Sequence, residues 1–280
     1  MLTRLREGAP DAAREARAGL ADDAALGAVG APVQVRELAH SFGELRVIER
    51  IDLEAEPGEV VGIVGPSGCG KTTLLELVAG LRPADRGAVS VGGRSEPAER
   101  LERCAYMPQR DLLLPWLSAV DNAALALRIA RLPRSEARRR AGSHFERLGL
   151  AGFEAARPGE LSGGMRQRVA FLRTLMAGRP VLLLDEPFAS LDAITRAEMQ
   201  SWLASVLRED RHAVLLVTHD VEEALYLSDR VLVLSPRAAR VTDRIEIARP
   251  RAGDRAAAVT SPEFAGLKER ALRSLAGGPR

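Results

Sequence analysis

Short apolar runs recur along the chain and alternate with segments of helical spacing. Val33–Leu38 alternates apolar and polar residues, as does a half-buried strand. Four later runs are continuously apolar and rich in β-branched residues or leucine, which is typical of strands buried on both faces. They are 60–64, 181–184, 213–217 and 231–234. Because helical segments separate these runs, we predict an α/β fold with a mainly parallel sheet core, preceded by a small antiparallel β layer.

A helical region interrupts this alternation between the first and second halves of the core. Residues 121–131, 134–148 and 166–176 have helical character, which predicts an inserted helical subdomain at about 110–178. The segment Asp111–Leu117 within it is unusually apolar for one that contains a proline. It is either part of the core or a surface patch that awaits a partner.

Composition narrows the class of protein. The chain has 280 residues, 46% of them hydrophobic, which is enough for a large buried core. Its net charge of +2 gives no strong field that would indicate nucleic acid, and we expect no such partner. Two cysteines, Cys69 and Cys104, do not make a disulfide framework and favour a reducing cytosol. No signal peptide and no apolar run of membrane-spanning length is evident.

A glycine-rich turn follows the strand at 60–64 and precedes a segment of helical character. This strand–turn–helix context is the one in which G-x-x-x-x-G-K-[ST] forms a phosphate-binding loop. Its residues are Gly65, Pro66, Ser67, Gly68, Cys69, Gly70, Lys71, Thr72 and Thr73. Glycines let backbone N–H groups curve around an anion, and the helix N-terminus adds partial positive charge. We expect Lys71 to contact the outer phosphates and Thr72 to ligate Mg²⁺.

Polar residues at two strand ends extend this site. Asp185 and Glu186 end the most hydrophobic strand, at the edge where open α/β sheets bind ligands. We expect Asp185 to position Mg²⁺ and Glu186 to polarise the attacking water. His219 ends the next strand and would contact the γ-phosphate at the same edge. Gln109 follows the strand at 104–107, where its carbonyl would ligate Mg²⁺ or hold the attacking water.

A second anion-binding helix start lies at Ser162-Gly163-Gly164, where Ser162 would cap the helix. One nucleotide does not obviously need two cradles from one chain. A head-to-tail dimer would explain both, with each ATP between the phosphate loop of one chain and this segment of the other.

Two further features have alternative interpretations. Phe42 is a lone aromatic residue in a polar turn, and it would either stack on a purine ring or be a partly buried turn residue. The run Arg138-Arg139-Arg140 would suit nucleic acid, but a solvated helix face is the interpretation we favour in so arginine-rich a chain.

Together these residues resemble the nucleotide-binding subunit of ATP-binding cassette (ABC) transporters, over about Val33 to Pro236. Gly65–Thr73 is similar to the Walker A motif, Val181–Glu186 to Walker B and Leu161–Gln167 to the LSGGQ-type signature. Gln109 resembles the Q-loop residue and His219 the switch histidine. Further resemblances assign Ser190-Leu191-Asp192 to the D-loop, with Asp192 at the nucleotide, and Phe42 to the aromatic that stacks on adenine. The sequence departs from the family at Thr72-Thr73, where Ser-Thr is commoner, but a hydroxyl is retained.

The resemblance implies a P-loop NTPase fold and the ATP-hydrolysing subunit of a bacterial importer. It implies a homodimer beneath two transmembrane permease subunits, fed indirectly by a solute-binding protein, at the cytoplasmic face of the inner membrane. Segments near Trp116, Arg237 and Phe264 are similar to the branch for nitrate, aliphatic sulfonates and taurine, with some features shared by cassettes for thiamine-precursor pyrimidines. Two alternatives are a soluble cassette ATPase acting on nucleic acid, ribosomes or iron–sulfur assembly, and a regulatory binder that does not hydrolyse ATP.

The domain prediction follows from the resemblance and the composition. Residues 1–32 form an N-terminal extension that we expect to be flexible, 33–248 the ATPase domain, and 249–280 a basic tail with a short helix.

Overall fold

The computed structural model of the chain describes residues 29–209, 211–248 and 255–277. Most of the predicted N-terminal extension, 1–28, lies outside the described residues, as do the tail segments 249–254 and 278–280. Among the described residues, no helix is both long enough and apolar enough to cross a bilayer.

The described residues form nine strands, ten α-helices and one 3₁₀ helix, Pro158–Glu160. The strands are β1 (Val33–Phe42), β2 (Leu45–Ala55), β3 (Val60–Val64), β4 (Arg86–Val91), β5 (Cys104–Met107), β6 (Val181–Asp185), β7 (Ala213–Thr218), β8 (Arg230–Leu234) and β9 (Ala239–Glu246). The helices are α1 (Lys71–Ala79), α2 (Pro97–Leu101), α3 (Ala119–Ala123), α4 (Leu125–Ile129), α5 (Arg134–Gly142), α6 (Gly163–Leu175), α7 (Ala193–Glu209), α8 (Val221–Leu227), α9 (Arg255–Val259) and α10 (Pro262–Ala276).

One sheet connects all the strands in the order β4-β1-β2-β9-β8-β3-β7-β6-β5. In the half of the sheet that contains β8, β3, β7, β6 and β5, each strand is parallel to its neighbours in that half. In the other half, β1 pairs antiparallel with β2 and with β4. This confirms both the parallel core and the antiparallel layer that the sequence predicts. Strand β9 was not predicted, and it joins the two parts by pairing parallel with β2 and antiparallel with β8.

The central strands are buried on both faces because alternate residues enter two hydrophobic clusters. Leu182 and Leu184 of β6 face a cluster that includes the inserted helices, while Val181 and Leu183 face a cluster shared with α1 and the antiparallel layer. This explains the uninterrupted apolar runs in the sequence.

Strand register brings the predicted site residues to one edge of the sheet. Val64 pairs with Thr218, and Asp185 pairs with Val217, so the carboxyl ends of β3, β7 and β6 lie side by side. Met107 of β5 pairs with Leu184, which places the segment that contains Gln109 at the same edge. Open α/β sheets bind ligands at this edge.

The helical region differs in detail from the prediction. Residues 121–131 form parts of two short helices, and the helix that begins at Arg134 ends at Gly142 instead of Leu148. In the segment Asp111–Leu117, Leu113 is buried whereas Leu112 and Trp116 are exposed, so it is partly core and partly surface patch.

The arginine run at 138–140 lies on α5 and pairs with acidic side chains. Arg138 contacts Asp121 at 2.7 Å, and Arg139 and Arg140 both contact Glu136 at 2.7 Å. These pairs agree with a solvated helix face that satisfies its charges locally.

The predicted tail helix forms as α10, which packs on α8, β8 and β9 through buried Phe264 and Ala271. The tail therefore rests on the part of the core that follows His219.

Candidate functional site

The glycine-rich loop curves tightly between β3 and α1. Gly68 and Gly70 have φ angles of +74° and +113°, in the region that residues with a Cβ rarely adopt. A Cβ at Gly70 would lie 2.8 Å from Cγ1 of Val47, so the β2 strand packs directly against the loop. Glycine is thus required at position 70 both for its backbone angle and for close packing.

Lys71 is buried beneath this loop, with 5% of its surface exposed. Its Nζ donates hydrogen bonds to the carbonyl oxygens of Gly65 at 2.9 Å and Pro66 at 3.1 Å. It also lies 3.9 Å from Oε1 of Glu186. A full positive charge therefore sits between the loop and the carboxylate at the strand end, where an anionic group would be attracted.

Thr72 and Asp185 are in direct contact across the site. The Thr72 hydroxyl donates to Oδ1 of Asp185 at 3.2 Å, and the Tyr106 hydroxyl donates to Oδ2 at 2.9 Å. Burial raises the pKa of Asp185, while these two hydrogen bonds work in the opposite direction. A hydroxyl and a carboxylate oxygen held together beside the loop are the ligand types that Mg²⁺ prefers.

Glu186 is the meeting point of three predicted site residues. Its Oε2 accepts a hydrogen bond from Nε2 of Gln109 at 3.1 Å and lies 3.1 Å from Nδ1 of His219, while Lys71 approaches Oε1. The backbone of Glu186 has a φ of +45°, which is uncommon for a residue with a side chain and is often found at functional sites. The arrangement holds a carboxylate between an amide, an imidazole and an ammonium group.

Ser162 caps α6, as the sequence predicts, because its side chain accepts a hydrogen bond from the Met165 N–H. Gly163 and Gly164 begin this helix, and a Cβ on either would approach another segment. That of Gly163 would lie 3.2 Å from Leu191, and that of Gly164 3.0 Å from Thr195. Both glycines therefore pack against the segment around Asp192 and α7.

Asp192 and Phe42 make contacts with residues other than Glu186. The Asp192 carboxylate accepts hydrogen bonds from the N–H groups of Ile194 and Thr195 at the start of α7. Phe42 ends β1 and is 43% exposed, with the Arg82 guanidinium 5.0 Å from its ring centroid. It lies on the hairpin whose Val47 packs against Gly70, and its nucleotide role remains a prediction.

Sequence reasoning missed two residues that touch the site. Tyr106 reaches Asp185 because the β5–β6 register sets it next to the strand end, and only the pairing of two distant strands could have revealed it. Arg237 donates hydrogen bonds to the carbonyl of Gly68 from a loop 169 residues further along the chain.

Comparisons with known proteins agree with this geometry. Residues 48–189 match the family described as ABC transporter. The taurine import ATP-binding protein TauB of Chromobacterium violaceum is 44% identical over 229 residues, covering 80% of this chain and 87% of that protein. The aliphatic sulfonates import ATP-binding protein SsuB 1 of Rhodococcus jostii is 49% identical over 215 residues, covering 76% and 83%. The nitrate import ATP-binding protein NrtD of Synechococcus elongatus is 42% identical over 233 residues, covering 82% and 85%.

A solved structure of an ATP-binding cassette has a similar fold. The dimeric post-hydrolysis structure of the ATP-binding cassette MJ0796, bound to ADP and Pi, superposes with a TM-score of 0.67 at 27% identity. The match covers 78% of this chain and 99% of that one.

Proposed function

This chain belongs to the ABC transporter family, and on that premise we propose that it powers a bacterial importer for a small solute with an anionic group, such as taurine, an alkyl sulfonate or nitrate. It is an ATP-hydrolysing import subunit, and the relatives reported above are import ATP-binding proteins. The choice of solute rests on the names of those relatives, since no part of this chain need touch the solute.

The observation that carries the catalytic assignment is the contact of Glu186 with Gln109, His219 and Lys71. In this assignment Glu186 is the general base that takes a proton from the attacking water. The Gln109 amide, 3.1 Å from the carboxylate, orients that group and the water beside it. His219 donates to the γ-phosphate, while Lys71 attracts the β- and γ-phosphates.

Mg²⁺ fits the residues at Thr72, Asp185 and Gln109. Thr72 and Asp185 already present neighbouring oxygen atoms at 3.2 Å, and an all-oxygen set with few protein ligands suits an ion that retains several waters. When bound, the ion would neutralise charge on the phosphates, with Thr72 and Asp185 as its protein contacts and Gln109 as a further oxygen donor.

The nucleotide would lie between two copies of the chain. The loop Gly65–Thr73 of one copy, with Phe42 stacked on adenine, would face Ser162, Gly163 and Gly164 of the other. The opposite copy's Asp192 would lie near the same interface. The dimeric cassette MJ0796 supports this arrangement, because its fold matches 78% of the chain.

The membrane partners would be two permease subunits, supplied by a solute-binding protein on the opposite side. The exposed Leu112 and Trp116 follow Gln109 closely, so a permease helix docked there would be linked to the catalytic carboxylate through that residue. This would put the protein at the cytoplasmic face of the inner membrane, bound peripherally. We further propose that 33–248 is the ATPase domain, with the helical subdomain at about 110–178 as its permease-facing part.

Phosphate release and membrane binding test these statements separately. We expect the chain to hydrolyse ATP and Lys71→Ala to abolish hydrolysis, because the loop would lose its buried cation. Co-expression with its permease should move the protein to the membrane fraction, and Trp116→Ala should weaken that shift. Recovery with nucleic acid or ribosomes instead would favour a soluble cassette ATPase, and absence of phosphate release would favour a regulatory binder.

A further inference from the structure

Arg237 lies in the loop between β8 and β9 and reaches the phosphate loop. Its Nη2 and Nε donate to the carbonyl oxygen of Gly68 at 3.0 and 3.3 Å. We propose that Arg237 is a positioning residue of the nucleotide site, which turns the Gly68 carbonyl outward and adds a second cation to the phosphate-binding loop. Arg237 can act in this way only if the loop binds nucleotide phosphates, so this inference rests on the proposed function.

The first support comes from the carbonyl groups of the loop. A carbonyl oxygen repels a phosphate, so an anion-binding loop needs its carbonyls directed elsewhere and paired. Lys71 pairs those of Gly65 and Pro66, and the Cys69 N–H also donates to Pro66 at 3.2 Å. Arg237 pairs that of Gly68. Two cations thus hold three carbonyls of one short loop.

The second support is that the Arg237 segment is well fixed. The Ser235 hydroxyl shares its one proton between the carbonyls of Pro236 at 2.9 Å and Ala238 at 3.2 Å, and the Arg240 N–H donates to that hydroxyl. Ala239 begins β9 and pairs with Ile48 of β2. An arginine on a fixed support loses less conformational entropy when it makes a contact, so more of the interaction is retained.

The third support is electrostatic. Burial raises the pKa of the Cys69 thiol, and the charges of Lys71 and Arg237 both oppose that rise. The field of Arg237 therefore extends into the loop. Arg237 is itself exposed, so its contribution to anion binding should weaken as salt is added.

The test compares Arg237→Ala with Arg240→Ala. The Arg240→Ala variant removes the same charge from the same segment. The Arg240 guanidinium, however, lies 4.0 Å from the Glu49 carboxylate and does not reach towards the phosphate loop. Calorimetric titrations with ATP and with inorganic triphosphate would measure affinity at low and high salt, and steady-state assays would give KM and kcat. A charge-assisted hydrogen bond of this kind corresponds to about tenfold in affinity.

We expect Arg237→Ala to lower the affinity for both ATP and triphosphate by about tenfold at low salt, and by a smaller factor at high salt. KM should rise while kcat falls by less than about twofold, since the contact does not change during reaction. Arg237→Lys should recover part of the affinity, and Arg240→Ala should bind as the unmodified chain does. If Arg237→Ala is poorly folded, Arg237→Lys and the salt dependence still decide the question.

Three results would overturn the inference: unchanged affinity in Arg237→Ala, equal losses in both variants, or a loss for ATP but not for triphosphate. The Lys71→Ala variant separates this failure from that of the proposed function. If the unmodified chain binds ATP and Lys71→Ala does not, the phosphate site stands and only the role of Arg237 is wrong. If the unmodified chain does not bind ATP, the proposed function itself fails.

Discussion

At the scale of single residues, we propose that Glu186 carries the chemistry, because three polar groups converge on its carboxylate. Gln109, His219 and Lys71 come from three different segments, yet each lies within 4 Å of it. Such a carboxylate is held in one orientation before a substrate arrives, which is what a general base requires.

Replacing Glu186 by Gln should lower kcat by on the order of 10²–10⁴, because the amide keeps the shape but cannot accept the proton. ATP affinity should be retained, since the phosphate loop is unchanged. Phosphate release and ATP titration on the same preparation would check both. Steady-state hydrolysis at the original rate would show that another group is the base.

Glu223 is a second carboxyl with an unusual environment. It is 3% exposed, and burial, with a smaller contribution from nearby Asp220, raises its pKa to about 8. Gln200 donates a hydrogen bond to it at 3.2 Å, and interactions with Thr218 and Arg196 also favour the charged form. At neutral pH the folded protein therefore holds this carboxyl mainly in its protonated form.

The sign of the resulting pH dependence follows from linkage. The folded state binds this proton more tightly than the unfolded state, so its stabilisation is complete below about pH 4.5 and is lost as pH rises through about 8. Glu223→Gln imitates the neutral acid. We expect its stability relative to the unmodified chain to increase between these pH values and level off above them, as measured by urea unfolding. A constant difference from pH 5 to 9 would contradict the raised pKa.

At the scale of elements, the buried strands could be predicted from the sequence and the polar strand could not. Apart from the polar residues that end β6 and β7, strands β3, β6 and β7 are apolar throughout, because both of their faces meet a hydrophobic cluster. Strand β9 contains Arg240, Asp243 and Arg244, and much of it remains partly exposed. It forms an antiparallel hairpin with the preceding strand β8, but its other partner, β2, is distant in sequence, and its polar residues give no apolar run from which local pattern would predict it.

In the candidate site, too, some of the contacts could be predicted from the sequence and others could not. Lys71, Asp185, Glu186 and His219 could be placed together because each follows or ends a strand of one parallel sheet. The contacts of Arg237 with Gly68 and of the tail with α8 depend on tertiary packing, for which local sequence carries no signal.

The tail is joined to helix α8 by ion pairs at Glu222. Arg255 and Lys268 contact this carboxylate at 2.7 and 2.9 Å. Burial would raise the pKa of Glu222, but these two cations hold it below its usual value. Helix α8 begins two residues after His219, so the tail braces the segment that presents that histidine.

A double-mutant cycle of Glu222→Ala and Lys268→Ala should give a coupling of about 0.5–1 kcal/mol, because the pair is only partly exposed and shares a network with Arg255. Urea unfolding would measure it. The matched control is Glu269 with Arg273, which lie 3.7 Å apart on α10 with both side chains exposed. Equal couplings for the two pairs would show that the contact at Glu222 is not special.

At the scale of the whole molecule, each chain has two helix starts that we propose bind nucleotide phosphates. Lys71 opens α1 at one, and Ser162 caps α6 at the other. Symmetric head-to-tail pairing of two copies would bring the two starts together twice, which gives two equivalent nucleotide sites.

The most direct test of this pairing is the mass of the Glu186→Gln variant in solution, with and without ATP. Its slow turnover should keep ATP bound, so we expect one chain without nucleotide and two chains with it. Adding Ser162→Asp keeps a capping side chain but sets a carboxylate against the partner's phosphate, so ATP should bind the single chain without pairing it. Adding the neutral cap Ser162→Asn should preserve pairing. The account would be contradicted if the Glu186→Gln variant stayed a single chain at saturating ATP. It would also be contradicted if the double variant with Ser162→Asp formed dimers as readily as Glu186→Gln alone.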